Sequence, residues 1–150
     1  MKDLTIDYAL RATWQAVARM YNEEAKEFGT TMAVGFTLLS IDPKTGTPST
    51  ALGPKMGMEA TSLSRILKSM EAKGLIERKP NPKDGRGVLI YLTPFGLEKR
   101  KDSKDVVMRF NTVVAENITD EKLKHFFEVT ETINTLIVNR KIYTKEESQN

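Results

Sequence analysis

The sequence predicts a mainly α fold with a small β-hairpin wing, a winged helix-turn-helix that carries a long helix at each end. Three observations lead there. Apolar residues recur at helical spacing over most of the 150 residues. The pattern changes to short strands only between about residues 75 and 92. Immediately before that change stand two helical stretches separated by a short turn around Gly57.

Each element follows in order. Residues 4–28 form one long helical pattern, with Leu10, Trp14, Val17, Tyr21, Ala25 and Phe28 three or four apart. Gly29 stops it, and Thr30-Thr31 cap the next helix, Met32 to Ile41. Asp42 to Gly46 is a cluster of turn formers. Ser49 is then placed to cap a short helix ending at Gly57. Pro54 lies inside that helix, where it removes a backbone bond and crowds the carbonyl four residues back, so a shortened or kinked helix is expected. A further helix runs from about Glu59 to Lys73 and is stopped by Gly74.

Leu75 to Lys79 and Val88 to Leu92 read as strands, apolar-rich and bounded by turn formers. Between them, Asp84-Gly85 supplies a tight turn and leaves Lys83 and Arg86 at its apex. Thr93-Pro94 opens a helix through Val106, Phe110, Val113 and Val114 to about Asn117. Thr119 caps a last helix, striped by Leu123, Phe126, Phe127, Thr130, Ile133 and Ile137. The polar segment 145–150 is expected to be a flexible tail. The whole, residues 1–150, is expected to be a single domain. Its terminal helices are more apolar than a lone monomer needs, which points to packing against a second copy.

Composition removes several function classes. The hydrophobic fraction of 39% and charged fraction of 29% belong to a globular chain and not to a disordered one. No apolar run is long enough to span a bilayer. Met1-Lys2-Asp3-Leu4-Thr5 lacks the pattern of a signal peptide, so a cytoplasmic address is expected. The absence of cysteine excludes disulfides and thiolate metal sites, and one histidine, His125, is too few for a histidine-rich metal site. No metal or cofactor is expected. Nor is an enzyme: Glu23 and Glu24 are adjacent on a helix and diverge, and Asp102 and Asp105 fall on an expected exposed face.

Charge is unevenly placed. Residues 55–101 hold 11 Lys/Arg against 5 Asp/Glu, while the remainder holds 12 against 15. A basic middle in an acidic frame suits a polyanion, and it also suits a solvated surface with chance clustering. The stretch 59–73 carries more information. Leu63, Ile66, Leu67 and Met70 fall on one side at helical spacing, and Thr61, Arg65, Lys68 and Ala72 on the other. A helix entering a major groove needs small polar residues near its N-terminus and an arginine able to reach guanine. Thr61, Ser62 and Ser64 meet the first need beside the small Ala60, and Arg65 meets the second, with Lys68 a further cation along the same side. Any amphipathic surface helix shows part of this pattern; the capped short helix before it and the basic hairpin after it single this one out. In the hairpin, Arg86 is suited to a narrow minor groove, or it pairs with Asp84 and braces the loop.

The run Thr61 to Arg78, with Lys73-Gly74-Leu75-Ile76-Glu77-Arg78, then Asp84-Gly85-Arg86 and Leu92-Thr93-Pro94-Phe95-Gly96, resembles the MarR family of bacterial regulators. The resemblance is close over about residues 30–100. It implies a homodimer in which helices of about 4–28 and 119–141 interlock, within dimerisation segments of about 4–28 and 105–141. It implies sequence-specific binding of a pseudo-palindromic double-stranded operator, most often as a repressor released by a small organic effector. By motif position Arg86 matches the wing arginine that reaches the minor groove, and Asp84 the acid that supports the wing. Ser49, Thr50 and Lys55 are candidates for phosphate contacts. Trp14, Tyr21, Met32 and Phe36 are candidates for an effector pocket, although such a stripe also serves as ordinary core. The alternative to a regulator is a winged-helix protein-interaction module without operator specificity, because fold alone does not separate the two.

Overall fold

A computed structural model describes residues 4–144 apart from the side chain of Arg86. The tail expected from 145 lies outside the described residues. The chain forms two compact units, residues up to 108 and residues from 109 onward. The expected lobe of about 30–100 lies within the first.

The first unit contains α1 (Ile6–Glu27), α2 (Met32–Ser40), β1 (Thr47–Pro48), α3 (Ser49–Met56), α4 (Ala60–Ala72), β2 (Ile76–Asn81), β3 (Asp84–Leu92) and the start of α5 (Pro94–Asn117). Threonine hydroxyls begin three of these helices, at Thr31 and Thr93 as expected and also at Thr5. Thr5 accepts from the Tyr8 amide and Thr31 from the Val34 amide at 3.2 Å. Asn22 ties α1 to α2, its Oδ1 accepting the Met32 amide at 3.1 Å.

Three strands form an antiparallel sheet in the order β1-β3-β2. The sequence pattern missed β1, which pairs Thr47 with Ile90 and Pro48 with Leu89. Because β1 runs directly into α3, Pro48 occupies the N-cap of α3 and makes no side-chain cap bond. Ser49 is therefore the first helical residue and not the cap. Nor does Pro54 shorten this helix, which continues to Met56 and ends at Gly57, φ 63°. Pro54 brings no N–H to the Thr50 carbonyl, but Thr50 is exposed, where water can supply the donor.

The core lies where α2, α3 and α4 meet the sheet. Leu38, Ile41, Leu52, Met70, Ile76 and Ile90 are almost wholly buried there, joined by Val34, Leu63, Leu67 and Leu75. Each such side chain stabilises the fold by roughly 1.5–3 kcal/mol through lost apolar exposure. Leu63, Leu67 and Met70 seat α4, so the sequence pattern assigned its inner side correctly.

The end of α4 leads into the sheet through a tight corner. The Gly74 amide bonds to the Glu71 carbonyl and the Leu75 amide to the Met70 carbonyl, with Gly74 at φ 74°. A left-handed residue at this place is what lets the last carbonyls find donors. Thr93 closes the corner from the far side: its amide donates to the Leu75 carbonyl and its Oγ1 accepts the Gly96 amide at 3.0 Å.

The second unit holds the rest of α5 and α6 (Asp120–Val138), begun by the Thr119 cap, which accepts the Lys122 amide at 3.3 Å. Of the apolar stripe on α6, Leu123 and Ile133 are half-buried, whereas Phe126, Phe127 and Ile137 are exposed. In the first unit the same is true of the N-terminal half of α1, where Ile6, Leu10 and Trp14 are exposed. No helix of the described residues is long and apolar enough to cross a membrane.

Candidate nucleic-acid interface

Burial decides which side of α4 faces outward. Ala60, Thr61, Ser62, Ser64, Arg65, Lys68 and Ala72 are all exposed, opposite buried Leu63, Leu67 and Met70. Glu59, at the N-cap, makes no side-chain bond to the first turn. The leading amides of α4 are thus uncapped by that side chain, next to three small residues, and an anion is favoured at such an end. Further along, Arg65 and Lys68 are one turn apart with no ion-pair partner among the described residues.

The preceding helix offers less than the sequence suggested. Ser49 is half-buried and Thr50 exposed at the start of α3. Lys55 donates from Nζ to the Ser40 carbonyl at 2.8 Å, so it already ties α3 to the end of α2.

The wing differs from expectation in its turn. Asn81 pairs with Asp84, which makes Pro82-Lys83 the two-residue turn and puts Asp84-Gly85 inside β3. Lys83 is exposed at that turn, its amide donating to Asn81 Oδ1 at 3.0 Å. Pairing jumps from Pro80–Val88 to Asn81–Asp84 and leaves Gly85, Arg86 and Gly87 as a bulge in β3. A Cβ on Gly87 would lie 3.3 Å from Asp84 Oδ2, so the carboxylate folds back over the bulge. The side chain of Arg86 lies outside the described residues. Lower on the wing, Lys79 sits 5.1 Å from the Tyr91 ring centroid, and Arg78 Nε donates to Glu71 Oε2 of α4 at 2.7 Å.

A separate cleft, small and open to solvent, lies within the first unit among α1, α2 and the start of α5. Tyr21, Met32 and Phe36 line it together, with Tyr21 and Phe36 edge to face at 5.7 Å. Burial raises the Tyr21 phenol above its ordinary pKa. Trp14 is not among the lining residues; it lies two turns earlier on α1 and is 54% exposed. The sequence reading missed the α5 wall, Lys99, Asp102, Ser103 and Val106. Their i, i+3, i+4, i+7 spacing was the available signal. Asp102 is not on an open face as expected but half-buried, 3.9 Å from Lys99.

Among the described residues no group of His, Asp or Glu is arranged to hold a metal ion.

The model of the MarR family matches residues 31–88. The uncharacterized HTH-type transcriptional regulator YdgJ of Bacillus subtilis is 31% identical over 78 residues, 52% of this chain and 48% of that protein. The multiple antibiotic resistance protein MarR of Escherichia coli K12 is 35% identical over 78 residues, 52% of this chain and 54% of that protein. This chain therefore spans about half the length of these curated relatives. In fold it is similar to MepR of S. aureus in a DNA complex, with a TM-score of 0.80, 19% identity, and coverage of 89% of this chain and 100% of that one.

Proposed function

We propose, from the match of residues 31–88 to the MarR family model, that this chain is a MarR-like homodimeric, sequence-specific DNA-binding regulator of transcription. The observation that carries the reading is the outward side of α4, small and polar at its uncapped N-terminus and cationic at Arg65 and Lys68. A basic-tipped wing follows in the same unit. Thr61, Ser62, Ser64 and Arg65 read base edges and nearby phosphates, and Arg65 is suited to guanine O6 and N7. Ala60 lets the helix end approach closely. Ser49, Thr50, Lys55, Lys68 and Lys83 contact phosphates; Lys55 retains further N–H donors beside its bond to Ser40. Arg86 enters the minor groove, and Asp84 supports the wing.

The apolar side chains left exposed on α1 and on α6 support homodimerisation. A two-fold dimer presents two reading helices, so the operator is pseudo-palindromic, with half-sites about one helical turn apart. The chain acts as a repressor in the cytoplasm, requires no cofactor and catalyses no reaction. A small organic effector occupies the cleft lined by Tyr21, Met32 and Phe36 and releases the DNA.

The test is retention of a promoter fragment from the chain's own locus in the presence of competitor DNA. Log affinity is expected to fall linearly with log salt as counterions are released. A chain that forms dimers yet shows no preference over competitor DNA overturns the reading in favour of a protein-interaction module. For the effector, a thermal-shift screen with aromatic acids is expected to give a ligand that raises the unfolding midpoint and weakens retention.

A further inference from the structure

We propose that Glu71 and Arg78 are positioning residues that fix the angle between the reading helix and the wing, so that both engage one duplex together. This rests on the operator-binding reading. Arg78 stands opposite fully buried Ile90 in the β2–β3 ladder and two residues from buried Ile76. Strand alternation therefore sets its stem on the side of the sheet that packs on the core. Its Nε donates to Glu71 Oε2 at 2.7 Å, and Glu71 lies in the last turn of α4. The bond thus bridges the seam between α4 and β2 directly, bypassing the backbone corner at Gly74.

The two side chains are 49% and 36% exposed, and an ion pair this accessible adds little to folding. Its effect is geometric. Lys83 lies five residues beyond Arg78, about 16 Å along an extended strand, so a hinge of roughly 10° at the seam moves the tip by about 3 Å. That is the length of a hydrogen bond, enough to separate the wing from a groove that α4 has already found. Holding it in place beforehand reduces the ordering cost of binding.

Glu71→Gln makes the sign of the effect diagnostic. It removes a negative charge beside a polyanion site, so charge alone predicts tighter DNA binding and a salt dependence no shallower than before. Positioning predicts the opposite: retention of operator about five- to tenfold weaker, a log–log salt slope flatter by about one, and an unfolding midpoint nearly unchanged. Arg78→Lys, which keeps the charge but moves the donor, is expected to weaken binding in the same way and decides the matter if Glu71→Gln does not fold. Wild-type protein that retains no operator overturns the DNA-binding reading and this role with it. Wild-type protein that binds, beside a folded Glu71→Gln chain that binds equally well or more tightly, or with an unchanged slope, overturns the positioning role alone.

Discussion

Gly96 packs so closely against Leu75 that a Cβ built on it would come within 2.0 Å of the Leu75 carbonyl oxygen. The same carbonyl accepts the Thr93 amide, and Thr93 Oγ1 in turn accepts the Gly96 amide. The start of α5 is thereby pinned to the corner where α4 becomes the wing. Because the obstructing atom is backbone, no side-chain rotation relieves an added methyl group.

Gly96→Ala is accordingly expected to destabilise the chain by roughly 1–3 kcal/mol, the range for forcing extra volume into packed structure. Urea denaturation is the measurement. An unchanged midpoint and slope would show that α5 can lift away from Leu75 without cost.

Arg65→Ala is expected to weaken operator binding by roughly 1–3 kcal/mol and to relax preference at one base pair of each half-site. Lys68→Ala should reduce affinity more evenly across sequences and flatten the salt slope by about one. Both residues are exposed, so stability should stay within about 0.5 kcal/mol of wild type. Titration against a panel of operator variants checks this; wild-type affinity for Arg65→Ala removes that residue from the reading face.

Arg86→Ala should weaken binding with a smaller change in base preference, since the minor groove distinguishes base pairs poorly. The same operator panel reads it. Loss of all discrimination at the centre of each half-site contradicts the assignment.

The Asp42 carboxylate accepts the amides of Thr45 and Lys44, and these bonds hold its pKa below the ordinary value. A carboxyl whose pKa is depressed on folding adds stability that is complete above the unfolded pKa of about 3.9. That contribution disappears as pH falls through the lower, folded value. Asp42→Asn is therefore expected to unfold with a shallower acid limb than wild type. Denaturation series between neutral pH and the acid limit compare the two, and parallel curves would assign no linked proton to this turn.

Much of this arrangement was legible in the chain because it is written in local patterns. Thr31, Thr93 and Thr119 cap helices where short-range spacing placed starts, and Leu63, Leu67 and Met70 mark the inner side of α4. What escaped depends on partners distant in sequence. β1 is two residues long and contains a proline, so it has no period of its own and exists only as a partner of Ile90 and Leu89. Its presence moved the cap of α3 from Ser49 to Pro48. Asp84-Gly85 is a strong local turn signal, yet pairing of Asn81 with Asp84 carried the turn to Pro82-Lys83. Glu71 and Arg78 meet only because the corner at Gly74 reverses the chain, and neither helical nor strand spacing relates residues seven apart across such a bend.

The bulge at Gly85 to Gly87 has a consequence for how the wing can vary. The five pairs from Ile76–Leu92 to Pro80–Val88 keep one register, and the irregularity lies wholly above them. A single-residue slip in those five would turn Ile90 out of the interior. Above them, lengthening or shortening the loop leaves the interior untouched. The tip is thus the place where residues can be inserted or deleted to change the wing's reach, or where a reporter peptide can be spliced, without disturbing the body that carries it.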